Sequence, residues 1–343
     1  MKSISMQRLL SLGIGTILLF SCGTSHDIGQ YAKSLELNYV QYASEATYSR
    51  AIQVSHGQVF LGNSDGFVYR YDLKSKEVKK LNAMPYPEIR DLFVPGKKGD
   101  VIATQSADTS VVIYLGENME STKTVSSYPL FIDAMDMNTL GHGFFVADPV
   151  NGFFQVYYTF DMGKSWSDGF SGLKAAEGEA AFAASGSIAQ MVNDSTYFFA
   201  SGGKESHLFE SNDFGKSWES KKIPFDTAAS SGAFSIFFWN AWQGVVVGGD
   251  YLKPNDRSNN CWITKNGGRS WFKPKTAPGG YRSQVIWTGK ALYASGTNGI
   301  DISLDRGLTW TKISDERAYA MTYERGTIYA TTKSGKFFYF KAI

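Results

Sequence analysis

The chain has 343 residues, of which 15% are aromatic and 19% charged, and it contains 35 glycines and nine prolines. This composition is typical of a turn-rich globular protein and excludes a disordered chain. Its 34 basic and 32 acidic residues nearly cancel, which argues against a nucleic-acid partner because polyanion-binding proteins carry a basic surplus.

The N-terminus is basic and is followed by an apolar stretch over residues 9–20, too short to span a membrane. That stretch ends in Leu19-Phe20-Ser21-Cys22, which resembles a bacterial lipobox. The resemblance implies a signal peptide over residues 1–21 and a lipid on Cys22, with residues 22–34 as lipidated cysteine and flexible tether. An ordinary cleaved signal peptide is the alternative. We therefore expect a lipid-anchored protein of the bacterial cell envelope, at the outer membrane or facing the periplasm.

The remaining cysteine, Cys261, has no partner for an internal disulfide once Cys22 carries lipid. It lies in an apolar run, where a buried and inert thiol is expected. The chain contains no CxxC spacing, and its four histidines are scattered singly. It also lacks a glycine-rich phosphate loop leading into a helix. We therefore predict no metal and no cofactor.

Strand patterns recur along the chain in units of three or four. Each unit has an apolar first strand, a second strand ending in a turn and an aromatic-rich third strand. The first two units cover residues 50–54, 58–62 and 67–72, then 90–94, 100–104 and 110–115. Later inner strands lie near residues 132–137, 187–192, 234–239, 284–287 and 318–323. Seven units over residues 22–343 give about 46 residues each, which matches a four-stranded propeller blade.

Four segments with the pattern S/T-x-D/N-x-G-x-S/T-W align without gaps, at intervals of 52, 53 and 39 residues. The Asp or Asn oxygen can accept N–H groups of a turn, and the Gly can take a positive φ. We expect each Asp or Asn to be a turn former and each Trp to be buried in the core between units. The residues are Asp161 and Trp166, Asp213 and Trp218, Asn266 and Trp271, and Asp305 and Trp310.

The last unit stops one strand early, after residues 327–330 and 336–340. Residues 35–42 precede the first unit and have strand composition. We predict that they supply the missing outer strand, because ring closure removes exposed sheet edges. The predicted fold is all-β: a seven-bladed β-propeller of four-stranded antiparallel blades over residues 35–343, closed by an N-terminal strand. Six blades remain the alternative count.

The four-copy pattern resembles the Asp-box, or BNR, repeat of bacterial propeller proteins. The richest likeness, over residues 177–310, is to photosystem II stability and assembly factor-like proteins. Sialidase and sortilin-like propellers are more distant, and the Arg-Ile-Pro motif of sialidases is missing at both Arg50-Ala51-Ile52 and Arg90-Asp91-Leu92. The resemblance implies a structural role for the boxes, on the face away from the binding site, and a binding or assembly role for the protein.

A ligand site is expected on the opposite face, where the first strand of each blade begins. The predicted strand starts there include Asp133 and four arginines: Arg50, Arg90, Arg282 and Arg317. Arginine offers paired donors for carboxylate or phosphate groups. The alternative is that the arginines pair internally, Arg282 with Asp250 or Arg317 with Glu179, and tie blades together.

A glycosidase would need two carboxylates about 5–9 Å apart, one with a raised pKa. Glu179 and Asp250 are the candidate pair, and Tyr251 or Tyr281 could act as a nucleophile. The sequence favours a non-catalytic envelope propeller, monomeric and binding a protein or acidic glycan. A sialidase-like glycoside hydrolase and a purely structural scaffold are the alternatives.

Overall fold

The computed structural model describes residues 25–95, 100–106, 110–115, 120–124, 130–167 and 172–343, with the backbone alone for residues 25–26 and 120–124. These residues form a seven-bladed β-propeller, which confirms the predicted fold class. A helix, α1 (Ser25–Lys33), and a strand, β1 (Asn38–Gln41), precede the first blade.

The first three blades are regular antiparallel sheets in which neighbours in sequence pair with each other. Blade 1 contains β2 (Ser49–Ser55), β3 (Gln58–Asn63), β4 (Val68–Asp72) and β5 (Val78–Lys80). Blade 2 contains β6 (Ile89–Phe93), β7 (Val101–Gln105), β8 (Val111–Leu115) and β9 (Glu120–Thr124). Blade 3 contains β10 (Ile132–Met137), β11 (Gly143–Val150), β12 (Phe153–Thr159) and β13 (Leu173–Lys174).

The other four blades include two short strands that link blade 4 to blade 5. The link is formed by β14 (Glu179–Ala180) and β17 (Gly202–Gly203). Blade 4 contains β15 (Ala189–Met191), β16 (Tyr197–Ala200), β18 (His207–Ser211) and β19 (Glu219–Lys222). Blade 5 contains β20 (Ser231–Phe238), β21 (Gly244–Asp250) and β22 (Cys261–Thr264). Blade 6 contains β23 (Gln284–Trp287), β24 (Leu292–Gly296), β25 (Gly299–Ser303) and β26 (Thr311–Ser314), and blade 7 contains β27 (Met321–Glu324), β28 (Thr327–Thr331) and β29 (Lys336–Lys341).

The ring closes as predicted from the sequence. Strand β1 pairs antiparallel with β29, with Asn38 opposite Tyr339 and Gln41 opposite Lys336. The first described strand therefore becomes the fourth, outermost strand of the last blade, and β29 is paired on both sides.

Each blade is also tied to the next by one side chain of its first strand, which accepts a backbone N–H from the first strand of the following blade or from the turn after it. A bond of this kind contributes about 1 kcal/mol net and satisfies an N–H that would otherwise be buried unpaired. The seven acceptor–donor pairs are Gln53–Val94, Asp91–Met135, Asp136–Met191, Gln190–Phe238, Ser235–Val285, Gln284–Met321 and Glu324–His56.

Of the predicted flexible tether over residues 22–34, the structure describes residues 25–34, and there it has α1 packed on blades 6 and 7. Ile28 is 7% exposed and joins the core of these blades, with Tyr31, Ala32 and Leu35 packed against it. The Tyr31 hydroxyl donates to the Lys341 carbonyl at 2.8 Å. Apolar residues at positions i, i+3, i+4 and i+7 give the helix one apolar stripe, and this spacing explains the docking.

The four S/T-x-D/N-x-G-x-S/T-W segments form hairpins after the third strands of blades 3 to 6. In every copy the first hydroxyl accepts the Gly N–H, and the Asp or Asn oxygen accepts the later Ser or Thr N–H, all at 2.8–2.9 Å. The residue before the Gly also has a positive φ, as Met162, Phe214, Gly267 and Arg306. The turn therefore needs two left-handed residues, whereas the sequence pattern indicated one.

The four Trp residues pack less deeply than predicted. Trp310 is 3% exposed, but the other three are only half-buried. Two indoles still reach the preceding blade: Trp218 donates to the Tyr158 hydroxyl at 3.0 Å and Trp271 to the Lys222 carbonyl at 3.0 Å. The half-buried Trp residues lie at the end of a blade, where the hairpin leaves one side of the indole uncovered.

Candidate binding face at the channel mouth

The alternating strand directions divide the propeller into two faces. The first strands begin on one face, together with the loops between second and third strands; we call this the upper face. The hairpins between first and second strands, and the four repeat hairpins, lie on the lower face. Because each blade has the same order of strands, first-strand starts from all blades converge around the upper mouth of the channel.

Four first strands carry a β-bulge near their start, where two residues stand opposite one on the second strand. The skipped residues are Arg50, Arg90, Asp133 and Phe234, in blades 1, 2, 3 and 5. A bulge bends the strand and re-aims the side chain of the extra residue. The same backbone distortion therefore presents arginine in blades 1 and 2, aspartate in blade 3 and phenylalanine in blade 5.

Arg50 and Arg90 share one acidic partner, Glu88. The Arg90 guanidinium lies 2.8 Å from a Glu88 oxygen, and the Arg50 Nε lies 3.8 Å from the other oxygen. The two arginine side chains are 29% and 21% exposed. Within the described chain, the Nε atoms of both have no hydrogen-bond partner. One carboxylate thus serves two guanidinium groups, and this group of three side chains carries a net positive charge.

Aromatic rings extend this cluster around the mouth. Arg50 stacks over Tyr48 and Tyr319, with its Cζ 5.4 and 5.8 Å from the ring centroids. Arg317 approaches the same Tyr319 ring at 5.9 Å, and Arg90 lies 5.6 Å from the Phe131 centroid. Arg317 is exposed and also donates to the Thr297 carbonyl at 3.3 Å. Three of the four predicted arginines therefore lie along one arc, over blades 7, 1 and 2.

Residues 181–186, which we call the crossing segment, lie over the channel mouth. The Ala181 N–H donates to Asp148 of blade 3 at 3.1 Å, and the Ser185 hydroxyl donates to the Ser283 carbonyl at the start of blade 6 at 2.9 Å. Between these ends, Arg90 donates to the Ala183 carbonyl at 3.3 Å and Arg50 to the Ala184 carbonyl at 3.5 Å. The bulge arginines thus already bind backbone carbonyls of an irregular stretch, in which the Ala184 N–H turns back to the Phe182 carbonyl at 2.8 Å.

Phe182 of the crossing segment stacks on the bulge residue Phe234, with centroids 4.3 Å apart. Tyr281 meets the Phe234 ring edge-on at 4.8 Å, and Tyr251 does so at 6.2 Å. Phe234 and Tyr281 are buried, whereas Tyr251 is 47% exposed. The blade 5 side of the mouth is therefore aromatic, opposite the arginine arc.

Asp133, predicted to bind ligand, lies buried next to the crossing segment. Its side chain is shielded from solvent, and one oxygen has no hydrogen-bond partner within the described chain. Burial raises its pKa well above the usual range, and nearby Asp148 raises it further, while Arg90 opposes the shift. Burial also raises the pKa of Asp148 to about 6. The two carboxyls stabilise the segment's position and do not face solvent as a free anion pair.

The prediction that Arg282 lines the mouth is wrong. Its side chain is fully buried, forms an ion pair with Asp301 and donates to Asn298 at 2.5 Å. Burial lowers the pKa of the guanidinium, and Asp301 offsets part of that effect. Arg282 lies two residues before β23, outside a bulge, so its side chain turns into the blade. Its partner is Asp301, not Asp250.

Glu179 is 5% exposed and fixed in the link between blades 4 and 5. It bonds to His207 Nδ1 at 2.8 Å, accepts the Ala176 N–H at 2.7 Å and accepts the Ser201 hydroxyl. Burial alone would raise its pKa, but the His207 and Ser201 bonds outweigh burial and leave the pKa lowered. A carboxyl with a lowered pKa is unsuited to general acid catalysis near neutral pH.

The pKa values of two other catalytic candidates, Asp250 and Tyr281, are also shifted. Burial acts to raise the pKa of Asp250, but bonds from Ser230 and the Leu252 N–H, with Lys253 nearby, lower it overall. Burial raises the pKa of Tyr281, although Arg50 opposes the shift, so a phenolate nucleophile is disfavoured. Glu179 and Asp250 thus supply no protonated acid for glycoside cleavage.

Three features of this face escaped sequence reasoning: Glu88, the Phe234 cluster and the crossing segment. The segment reads Ala181-Phe-Ala-Ala-Ser-Gly186, one aromatic among small residues. Small side chains allow backbone to approach backbone closely, and this composition was the available signal. Gly186 is needed because a Cβ there would lie 2.3 Å from an Asp91 oxygen.

Two further predictions concern anchoring and metal binding. The predicted lipid site Cys22 lies outside the described residues. Among the residues that the structure describes, no helix has the length and apolarity to cross a membrane. The same residues contain no group of three or more His, Cys, Asp or Glu arranged to hold a metal ion. Cys261 is buried, and burial raises the pKa of its thiol.

The fold and this mouth define a seven-bladed propeller whose channel is crossed by its own chain. Three solved structures share the fold. YCF48 bound to a D1 peptide has a TM-score of 0.63 at 12% identity over 90% of this chain and 95% of that one. YCF48 from Cyanidioschyzon merolae has a TM-score of 0.60 at 12% identity, over 89% and 99%. The computationally designed Ika8 protein has a TM-score of 0.56 at 10% identity, over 89% and 100%.

No family model matches the chain, and no curated protein is detectably similar to it in sequence. At 10–12% identity the structural likenesses establish the fold alone.

Proposed function

We propose that this protein is a non-catalytic binding propeller whose upper face recognises a segment of a partner polypeptide carrying a carboxylate. The observation that carries the proposal is the pair of bonds from Arg50 and Arg90 to carbonyls of the crossing segment. These arginines are positioned to bind backbone carbonyls, and both side chains keep part of their surface exposed to solvent.

The surroundings fit a ligand of this kind. Guanidinium groups form strong, geometrically specific bonds to carboxylates, and the arginine arc offers three of them with Glu88 as the shared counter-ion. The aromatic side around Phe234 and Tyr251 offers apolar contact area for a neighbouring side chain. Among structures of the same fold, YCF48 has been captured with a D1 peptide, and the repeat hairpins resemble Asp-box proteins with binding and assembly roles.

The experiment is a binding assay on an array of peptides with free carboxyl termini or internal acidic residues. We expect Arg50→Gln with Arg90→Gln to weaken bound peptides by about tenfold or more, since each substitution removes a charge-assisted bond. Arg325→Gln, in the β27–β28 turn on the lower face, is the matched control. Unchanged binding in the double variant, or equal loss in the control, would contradict the proposal.

We also infer that Cys22 carries the lipid and holds the propeller at the bacterial envelope. The support is the sequence alone: a basic start, an apolar stretch and Leu19-Phe20-Ser21-Cys22. Mass spectrometry of the N-terminal peptide tests this inference. An acylated Cys22 supports it, and a mature chain that starts at another residue without lipid refutes it. Cys22→Ser should release the protein from membranes.

A further inference from the structure

A cleft on the lower face, between blades 5 and 6, has the features of a second binding site. Its volume is about 230 Å³. Apolar walls come from Trp239, Ile263 and Phe272 of blade 5 and from Leu308 of blade 6. This cleft lies on the opposite side of the ring from Arg50 and Arg90, so it is independent of the function proposed for the upper face.

Two cations flank the cleft. The Arg306 guanidinium lies 5.3 Å from the Trp239 ring centroid and donates to Gln243 at 2.9 Å. The Lys265 ammonium lies 5.3 Å from the Phe272 centroid. Both side chains are exposed, so their remaining N–H groups can reach a ligand. The positive charge therefore sits directly beside the aromatic walls.

Arg306 occupies an unfavourable backbone position. It is the first left-handed residue of the blade 6 repeat hairpin, with φ 58°, where blade 5 has Gly267. A side chain in this conformation costs about 1–2 kcal/mol relative to glycine. The conformation directs the guanidinium back across the gap between blades onto Trp239. Met162 and Phe214 hold the same left-handed position in blades 3 and 4, so the conformation belongs to the hairpin, and blade 6 differs in having a charged side chain there beside the cleft.

The cleft has donors in excess of acceptors. The Trp239 Nε1–H is shielded from solvent and has no partner in the described chain. Of the described residues that line the cleft, Asp305 is the one acid, and its two oxygens accept bonds from Ser303 and Thr309 within the hairpin. A ligand must therefore bring acceptor oxygens, preferably charged, and an apolar face for the rings.

We propose that this cleft binds a single six-membered ring that carries a carboxylate. Ligand pockets for drug-sized molecules usually have volumes of about 300–1,000 Å³, so a smaller cleft suits one ring. The ring packs on Trp239 and Phe272, and its carboxylate lies between Arg306 and Lys265. A uronic acid unit of a glycan and an aromatic acid share this chemistry.

Ligand-observed NMR on the full chain tests the proposal, with glucuronate, benzoate and uncharged glucose as probes. For ligands of this size we expect dissociation constants on the order of millimolar. Arg306→Gln should weaken binding of the acids by about tenfold. Trp239→Phe, which keeps a ring but removes the N–H, should also weaken it.

Arg269→Gln is the matched control, because Arg269 stacks on Trp242 at 5.6 Å on the same face but outside the cleft. It should leave binding unchanged, as should Arg50→Gln with Arg90→Gln. Binding of glucuronate alone, or of benzoate alone, supports the site and identifies the source of the ring. Lack of saturable binding of both acids, glucose binding as tightly as glucuronate, or an equal loss in the Arg269 variant would overturn the proposal.

Discussion

The two faces of this propeller are built by opposite rules. On the lower face, four hairpins repeat one set of hydrogen bonds with the same residue types at the same spacing. On the upper face, four bulges repeat one backbone distortion, but the residue type varies: Arg50 and Arg90 are basic, Asp133 is acidic and Phe234 is aromatic. The lower face repeats its side chains because the turn itself requires them. The upper face repeats only its backbone and leaves the side chain free to vary.

The largest expected effect concerns Arg282. The sequence placed it at a strand start, as it did Arg50 and Arg90, but Arg282 is not a bulge residue. Arg282→Met leaves Asp301 as a buried unpaired carboxylate, so we expect a loss of about 3–5 kcal/mol in the free energy of unfolding. Arg317→Gln, at an exposed site, should change it by less than about 0.5 kcal/mol. Urea denaturation of both variants measures the difference. Similar losses would mean that the two arginines do not differ in role.

Gly215 tests the claim that the lower-face turn dictates its residues. Its φ is 79°, and a Cβ there would lie 2.3 Å from the Tyr158 ring. We expect Gly215→Ala to lower the free energy of unfolding by about 2–4 kcal/mol, from backbone strain and overpacking together. Gly152, at φ 82° on the upper face, has open space around it, so Gly152→Ala should cost only about 1–2 kcal/mol. Equal urea midpoints for the two variants would show that the contact between the added Cβ and the Tyr158 ring does not affect stability.

The buried carboxyls of the first strands and the carboxyls of the repeat hairpins should change the free energy of unfolding in opposite directions as the pH changes. Burial raises the pKa of Asp91 to about 8 and that of Asp136 to about 6. The folded state then keeps protons that the unfolded chain releases above about pH 4, so stability falls as pH rises towards 8, by at most about 1.4 kcal/mol per pH unit for each group. Hairpin Asp213 behaves oppositely: the Ser217 bonds lower its pKa, so its contribution is lost below about pH 4.

Urea midpoints measured from pH 3 to pH 9 check both directions. Asp91→Asn should flatten the fall between pH 4 and pH 8, whereas Asp213→Asn should leave it in place. A wild-type profile that rises over this range would show that these carboxyls are ionised in the folded state.

The smallest effect concerns the hairpin acids. Asn266 already fills this position in blade 5, where its oxygen accepts the Ser270 N–H at 2.9 Å. Asp161→Asn should therefore change the free energy of unfolding by less than about 0.5 kcal/mol, and Asp161→Ala should lower it by about 1 kcal/mol through loss of the turn acceptor. A large loss in the Asn variant would assign the carboxylate charge a role beyond the turn.

Much of the fold could be predicted because it follows from local rules. Four copies of the hairpin pattern and regular strand spacing identified the propeller, and the early stop of the last blade identified the closing strand. Residues 132–137 and 284–287 match β10 and β23. The predicted stretch 187–192 likewise contains β15 (Ala189–Met191), whereas the short link strands β14 and β17 were not predicted.

The site was less predictable because it depends on where side chains turn after a bulge. Strand starts indicated Arg50, Arg90 and Asp133, which are bulge residues, but also Arg282, which is not. A one-residue bulge has no fixed sequence pattern, so its presence could not be distinguished from a simple strand end. The crossing segment is held by contacts with five blades, and no local pattern encodes such distant partners.

The closing strand also has a consequence for how the protein is made. Asn38 pairs with Tyr339, so β1 has no partner until almost the whole chain has been synthesised. At about 5–20 residues per second, that interval is roughly 15–60 s. The Tyr31 bond to Lys341 must wait as long. During this time β1 is an unpaired strand beside unfinished blades, exposed to wrong pairing, and completion of the ring becomes a late step that synthesis itself controls.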